Sequence, residues 1–236
     1  GSTTVNEAGY GQGFYDWSEL SAGNTINHAV TRDPAGNLYV AGWQSGNNAS
    51  ITKYNSIGTQ QWVRTVGSVQ SSHVKDVLVD SSGNSYLIYG ETNFYVSKYN
   101  ASGTNQWTKT YTSPVGSGST PTIAVSDAVR SAEILNDVIY INGITTGTWS
   151  GQSRISNNID SLILILDTDG NEISASQTGG SNASVLVPSS LAVDSNGNYY
   201  QAGHISWTTT TKTLDGQTCP SSACVFVRKF NSSHTL

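Results

Sequence analysis

Asp33-Pro-Ala-Gly-Asn-Leu-Tyr-Val-Ala-Gly42 returns as Asp80-Ser-Ser-Gly-Asn-Ser-Tyr-Leu-Ile-Tyr-Gly90 and again as Asp194-Ser-Asn-Gly-Asn-Tyr-Tyr-Gln-Ala-Gly203. A degenerate copy, Asn136-Asp-Val-Ile-Tyr-Ile-Asn-Gly143, lies between the last two. The Gly-Asn pairs stand at 36/37, 83/84 and 197/198, intervals of 47 and then 114 residues, the second being two units of 57. Self-similarity at this period marks repeated supersecondary units, and four short strands per unit make the blade of a β-propeller. For a chain of 236 residues, such a repeat predicts one closed array rather than two separate cores.

In the second unit, Val74 to Asp80 alternates as strand A, and the Asp-Ser-Ser-Gly-Asn turn returns it as strand B over Ser85 to Gly90. Strand C runs from Phe94 to Tyr99, and Asn-Ala-Ser-Gly leads into strand D over Asn105 to Tyr111. These lengths and turn residues are those of a β-meander. The first unit repeats the plan from His28 to Val66, with Lys53-Tyr-Asn-Ser-Ile-Gly matching Lys98-Tyr-Asn-Ala-Ser-Gly and Gln61-Trp62 matching Gln106-Trp107. The third, about Asp127 to Ala175, shortens the A–B turn to Asn136-Asp137 and carries an aliphatic region around Ile173 in place of the strand D Trp. The fourth begins near Ser190 and reaches strand C at Val225 to Phe230, with no strand D before Leu236. Ahead of the first strand A, Phe14-Tyr-Asp-Trp17-Ser-Glu-Leu sets Asp16-Trp17 where strand D elsewhere has Gln-Trp. The expected architecture is therefore all-β: a four-bladed propeller with four antiparallel strands per blade, blades at 25–67, 72–112, 126–178 and 188–231, the last closed by residues 13–20.

The combination Asp-x-x-Gly-Asn-x-Tyr-x-x-Gly, a later Lys-(Tyr/Phe)-(Asn/Asp)-x-x-Gly and a Trp resembles the SBBP family of β-propeller repeats, from about Phe14 to Asn231. The third unit departs at the Gly-Asn turn, the Lys and the Trp. The resemblance implies a scaffold of secreted and surface proteins and says nothing of chemistry, since a fold does not supply a function.

Composition narrows the class. Charged residues make up 11% of the chain, under half of the roughly 25% typical of soluble proteins. Ser, Thr, Asn and Gly fill the gap, as in secreted β proteins. The net charge is −5, and without a Lys/Arg run a phosphate backbone finds little to bind, so nucleic acid is not an expected partner. No stretch approaches the ~20 apolar residues of a membrane span. Cys219 and Cys224 are the only cysteines, and four intervening residues suit a loop-stapling disulfide in an oxidising compartment rather than a redox or zinc motif. Asn-x-Ser sequons at Asn48, Asn100, Asn182 and Asn231 are weak signs of a glycoprotein. Gly1-Ser2 reads as a cloning scar, with any leader removed from the mature form.

Candidate functional residues follow from what does not repeat. Asp33, Asp80 and Asp194 precede x-x-Gly-Asn and read as turn caps rather than a calcium array. Trp17, Trp62 and Trp107 recur at one position and read as packing between blades. Trp43, Trp149 and Trp207 do not recur, and the last two fall in the longest B–C connections, 144 to 160 and 205 to 224. Hairpins normally spend about 2–5 residues there, and insertions of this kind gather on one face, often the binding face. Trp43, Trp149 and Trp207 are thus candidate ligand contacts, with His204 and Asp215 as polar ones, unless each Trp packs its own loop. Strand A should line an axial channel with His28, Lys75, Ser131 and Ser189, beside His73, Asp76, Asp127 and Arg130. None of the four His sits in a nucleophile or metal motif, so neither metal nor cofactor is expected. Asp160 and Asp215, in the long loops, could each pair with another carboxylate for glycoside hydrolysis.

The expectation is an extracellular or cell-surface propeller that binds a glycan or protein without catalysis. One rival is a structural subunit of a filament or surface layer in which a neighbour donates the closing strand. The other is a polysaccharide-acting enzyme, which lacks a recognisable site.

Overall fold

A computed structural model describes residues 26–44, 48–66, 74–90, 93–112, 129–149, 159–179, 185–206, 212–221 and 223–233. The first blade consists of β1 (Ile26–Arg32), β2 (Leu38–Gln44), β3 (Asn48–Tyr54) and β4 (Gln60–Val66). The second holds β5 (Val74–Val79), β6 (Ser85–Gly90), β7 (Asn93–Tyr99) and β8 (Asn105–Thr112). The third holds β9 (Val129–Leu135), β10 (Val138–Thr145), β11 (Asp160–Leu166) and β12 (Glu172–Thr178). In these three, consecutive strands pair antiparallel in sequence order. The fourth sheet has three strands, β13 (Val185–Val193), β14 (Tyr199–Ser206) and β17 (Ala223–Phe230), with a separate hairpin, β15 (Lys212–Leu214) and β16 (Gln217–Cys219), between the last two.

The repeated turn forms for a local reason. In Asp80-Ser-Ser-Gly-Asn84 the Gly83 N–H donates to the Asp80 carbonyl at 3.1 Å, while Asp80 N–H reaches the Asn84 carbonyl at 2.9 Å. The carboxylate finishes the turn: it accepts from the N–H of Ser82 (3.0 Å) and Asn84 (2.8 Å), from Asn84 Nδ2 (2.8 Å) and from the Tyr86 hydroxyl (2.8 Å). Asp33 and Asp194 hold their turns and their Tyr residues, Tyr39 and Tyr200, in the same way. All three Asp residues are turn caps, as read from the spacing.

Blades pack face to face through three main apolar clusters, with a smaller fourth of Ile144, Ile159 and Val185 between the third and fourth blades. Tyr39, Ala41, Ile51 and Trp62 of the first meet Val74, Val77 and Leu87 of the second. Tyr86, Ile88, Phe94 and Val96 of the second meet Val129, Ile139, Ile141 and Leu164 of the third. Tyr140, Ile163 and Ile165 of the third meet Leu191, Tyr199 and Phe230 of the fourth. A polar clasp accompanies the first two. Lys53 Nζ donates to the Ala101 carbonyl in the next blade's C–D turn at 3.2 Å, and Trp62 Nε1 joins it at 3.1 Å. Lys98 Nζ repeats this on Thr168 at 2.8 Å. The turn glycine is required there: Gly103 has φ +78°, and a Cβ on it would lie 2.7 Å from the Trp62 ring.

β1 packs on β5, β5 on β9 and β9 on β13, and no comparable packing joins β13 to β1 among the described residues. The expected closing strand, residues 13–20 with Trp17, lies outside the described residues. The third blade's A–B turn is Asn136-Asp137, as read from the sequence, with both residues at positive φ, and its C–D turn is Asp167 to Asn171, where Asp167 accepts from Asp169 and Asn171. Two expectations need correction. Ile173 is 52% exposed and does not take over the packing of Trp62 or Trp107, because that part of β12 faces outward. The fourth blade's B–C connection is not a plain loop, since its middle folds back on itself as β15 and β16.

Candidate functional site: a stapled hairpin beside the fourth blade

Where the first and second blade interfaces are apolar, the interface between the third and fourth turns polar in its interior. Gln201, fully buried on β14, donates through Nε2 to Asn142 Oδ1 (2.9 Å) on β10 and to Ser161 Oγ (2.7 Å) on β11. Arg228 of β17, also buried, donates from Nη1 to Thr178 Oγ1 (3.0 Å) on β12 and to Gln201 Oε1 (3.4 Å). Its other face forms a two-pronged pair with Asp215, Nε to Oδ2 at 2.7 Å and Nη2 to Oδ1 at 2.8 Å. Planar guanidinium matches planar carboxylate, so the pair fixes orientation as well as charge. Every guanidinium nitrogen is used, which is the condition for keeping such a group out of water.

Asp215 sits at the tip of the β15–β16 hairpin with φ 52°, followed by Gly216 at φ 75°. Two left-handed residues in succession make the two-residue turn that suits antiparallel strands. A disulfide joins Cys219 on β16 to Cys224 on β17, with Cα atoms 6.0 Å apart. The hairpin is therefore tied to β17 at its tip by Asp215 and at its base by the disulfide. Between hairpin and strand lies a cleft of about 480 Å³, walled by Leu214, Pro220, Val225 and Val227 and edged by Thr218 and Lys229. A second groove, about 690 Å³, lies between the first two blades, lined by Arg64, Tyr89, Tyr99 and Thr108.

The residues singled out in the sequence are distributed unevenly over this site. Asp215 reaches the cleft, but its carboxylate holds Arg228 rather than facing a ligand. His204 is exposed on β14, directly opposite Val225 of β17. Trp43 is half-buried on β2, paired with Ala49 on the first blade and so not part of this cleft. Trp149 is corrected to a core residue: it is 6% exposed, stacks on Phe94 at 6.1 Å, and donates from Nε1 to Glu172 Oε2 at 3.3 Å. Trp207 lies outside the described residues. Asp160 is also corrected. It opens β11, is 1% exposed and accepts from Gln177 Nε2 at 2.8 Å, so it is a buried strand carboxylate rather than a loop one.

Of the expected channel residues, His28 is exposed, Lys75 and Arg130 are half-buried, and His73 and Asp127 lie outside the described residues. Asp76 is corrected to an inter-blade tie: its carboxylate accepts from Ala132 N–H of the third blade and from Val77 N–H, each at 2.9 Å. Burial pushes this carboxyl above the usual value, against the pull of those two N–H groups. Ser131 accepts from Asn142 Nδ2 at 3.3 Å, and the exposed Ser189 donates to the Ala202 carbonyl at 3.3 Å. Among the sequon residues, Asn100 caps its own turn by accepting from Ser102 and Thr104, Asn231 accepts from Ser233, Asn48 begins β3, and Asn182 lies outside the described residues. Among the described residues, no three His, Cys, Asp or Glu side chains gather in a way that could hold a metal ion.

Sequence reasoning missed Arg228 and Gln201. A signal was present at each. Arg228 precedes the repeat's Lys at a position where the first two blades have Thr52 and Ser97, and Gln201 replaces Val40 and Leu87. A large polar side chain at a repeat position that is otherwise small or apolar marks an interface that has been altered.

No protein-family model and no curated protein sequence matches the chain. Among solved structures, a protein of unknown function from Bacteroides caccae aligns over 92% of this chain and 65% of its own, at 11% identity and a TM-score of 0.49. A protein from Lactobacillus plantarum aligns over 88% of this chain and 59% of its own, at 11% identity and a TM-score of 0.49. A GH43 endo-arabinanase from Bacillus licheniformis aligns over 87% and 74%, at 11% identity and a TM-score of 0.40. The chain thus spans less than two thirds of the length of the first and second of these proteins.

Proposed function

We propose that this chain is a non-catalytic binding module, secreted or displayed at the cell surface, which takes a glycan or protein ligand in the cleft beside the stapled hairpin of the fourth blade. The observation that carries the reading is the cleft itself. Its volume of about 480 Å³ lies within the roughly 300–1,000 Å³ of ligand sites, and apolar walls with a few polar groups at the rim are the usual composition of such sites. Two independent anchors hold the hairpin in place, so the walls are organised before a ligand arrives, which lowers the ordering cost of binding. The disulfide supports an oxidising location. No described helix is long and apolar enough to cross a membrane. The carboxylates named for glycoside hydrolysis, Asp160 and Asp215, are engaged by Gln177 and Arg228, which favours binding over hydrolysis.

Arrays of glycans and of extracellular proteins, probed with the soluble chain and with Leu214→Asp, test this. A ligand bound by the parent and weakened by more than about 1 kcal/mol in the variant supports the cleft. Equal binding by both moves the site elsewhere, and hydrolysis of any arrayed glycan overturns the non-catalytic reading.

A further inference from the structure

The seam between the second and third blades is plugged by aromatic rings. Phe94 stacks on Tyr111 at 4.9 Å and on Trp149 at 6.1 Å. The same register positions at the seam between the first and second blades hold Ala49 and Val66, which pair across β3 and β4 as Phe94 and Tyr111 do across β7 and β8. Trp149 has no counterpart either, because the second blade's B–C connection is only Glu91-Thr92. The groove of about 690 Å³ between the first two blades opens where the plug would stand, beside Val66.

The wall that the second blade gives this groove is polar where the equivalent wall of the third blade is apolar. Ser97 pairs with Thr108 across β7 and β8, and the pair at the same place in the third blade is Leu164 with Ala175. The Tyr89 hydroxyl meets Ser97 Oγ at 3.2 Å, Ser97 Oγ meets Thr108 Oγ1 at 2.9 Å, and Asn105 Nδ2 donates to Thr108 Oγ1 at 3.4 Å. Two contacts among three hydroxyls use two of their three protons, so one is left to donate to a guest. Burial pushes the Tyr89 and Tyr99 hydroxyls above their ordinary value, which keeps both neutral. On the first blade's side stands Arg64. Its Nε donates to the Gly103 carbonyl at 2.6 Å, the place that Tyr111 takes on Gly170 in the next seam. Nη1 donates to the Val63 carbonyl at 2.7 Å and Nη2 to the Ser102 carbonyl at 3.4 Å, which leaves an N–H on each. No described residue lining the groove is acidic, so the guanidinium charge is unneutralised there.

We infer that this groove is a second binding site, for an acidic sugar: a hexuronate whose carboxylate pairs with the spare N–H groups of Arg64 and whose hydroxyls join the Tyr89, Ser97 and Thr108 chain. A planar carboxylate matches a guanidinium edge, and a single arginine suits a monovalent carboxylate better than a phosphate dianion. Hydroxyls that both donate and accept match a polyol. The volume lies within the roughly 300–1,000 Å³ of ligand sites. The site is built from the first and second blades, so it goes beyond the hairpin cleft of the fourth and does not rest on it.

The test is calorimetric titration of the full chain with oligosaccharides of galacturonate, glucuronate, mannuronate and guluronate, and with neutral hexose oligosaccharides of the same length. At least one uronate should bind, and bind more tightly than its neutral counterpart. Arg64→Gln keeps an amide for the turn carbonyl but removes the charge, and it should weaken that uronate by about tenfold or more. Val66→Tyr restores the ring that the next seam carries, so it should abolish binding without lowering the melting temperature. Leu214→Asp, in the hairpin cleft, should bind as the parent does. If no uronate binds, as filling of the groove by the chain's own residues would produce, the inference is overturned. Equal binding of neutral sugars overturns it as well, and so does parent-like binding by Arg64→Gln or by Val66→Tyr. A uronate lost in Leu214→Asp but kept in those two variants belongs to the hairpin cleft, which overturns this inference and leaves the cleft reading standing.

Discussion

At the scale of the residue, one carboxylate organises each A–B corner. Asp33 is pushed up by burial, but bonds from the Asn37 side chain, the Asn37 N–H and the Tyr39 hydroxyl outweigh this and hold its carboxyl below the usual range. A depressed carboxyl contributes stability that is present above the unfolded value and lost as pH falls through the folded one. Asp33→Asn should therefore lower the melting temperature at neutral pH, by the equivalent of about 1–3 kcal/mol for a part-buried charged acceptor. The gap between variant and parent should close as the solution is acidified below about pH 4, since the parent then loses its own carboxylate. Thermal melts of both proteins from neutral to acid pH check this, and a gap independent of pH would refute the ionised cap. The Asp role was legible in the sequence because every bond the carboxylate makes lies within six residues. That of Arg228 was not, because its partners Thr178 and Gln201 are 50 and 27 residues away.

At the scale of the element, the β15–β16 hairpin of two three-residue strands is too small to persist alone. Its two anchors differ in strength. The disulfide closes a loop of only five residues in sequence separation, so its entropic contribution is on the order of 2 kcal/mol. Asp215 neutralises an arginine whose side chain is 2% exposed, and removing one partner of such a pair costs about 3–5 kcal/mol. Asp215→Ala should therefore destabilise the protein more than the double substitution Cys219→Ser, Cys224→Ser does. Chemical denaturation of the two variants decides the order, and the reverse ranking would show that the disulfide, not the ion pair, fixes the hairpin. The length and position of this insertion were visible in the sequence. Its internal pairing was not, because Lys212 to Cys219 carries no strong alternation to set it apart from a loop.

At the scale of the molecule, each blade is stabilised chiefly by its neighbours, as in any array whose units bury their faces on one another. The second and third blades have a neighbour on both sides, whereas the first leaves Val30 bare and the fourth leaves Val225 and Val227 bare. Amide exchange should accordingly be slowest in β6, β7, β10 and β11 and faster in β1 and β17. Uniform protection across the four blades would mean that the ends are covered in solution.

The repeat in the sequence determined the strands, their order within a blade and the turn chemistry, because all of these depend on residues that are close along the chain. It also marked the disulfide and the long fourth-blade insertion. Which aromatic residues are core and which are surface depended on tertiary packing: Trp149 looked like a surface contact until Phe94, 55 residues earlier, proved to lie against it. The polar interior between the third and fourth blades and the bare faces at the two ends are likewise properties of blade-on-blade contact. A repeat specifies how each unit is built, and only the packing of one sheet on another decides which of its faces meets a neighbour.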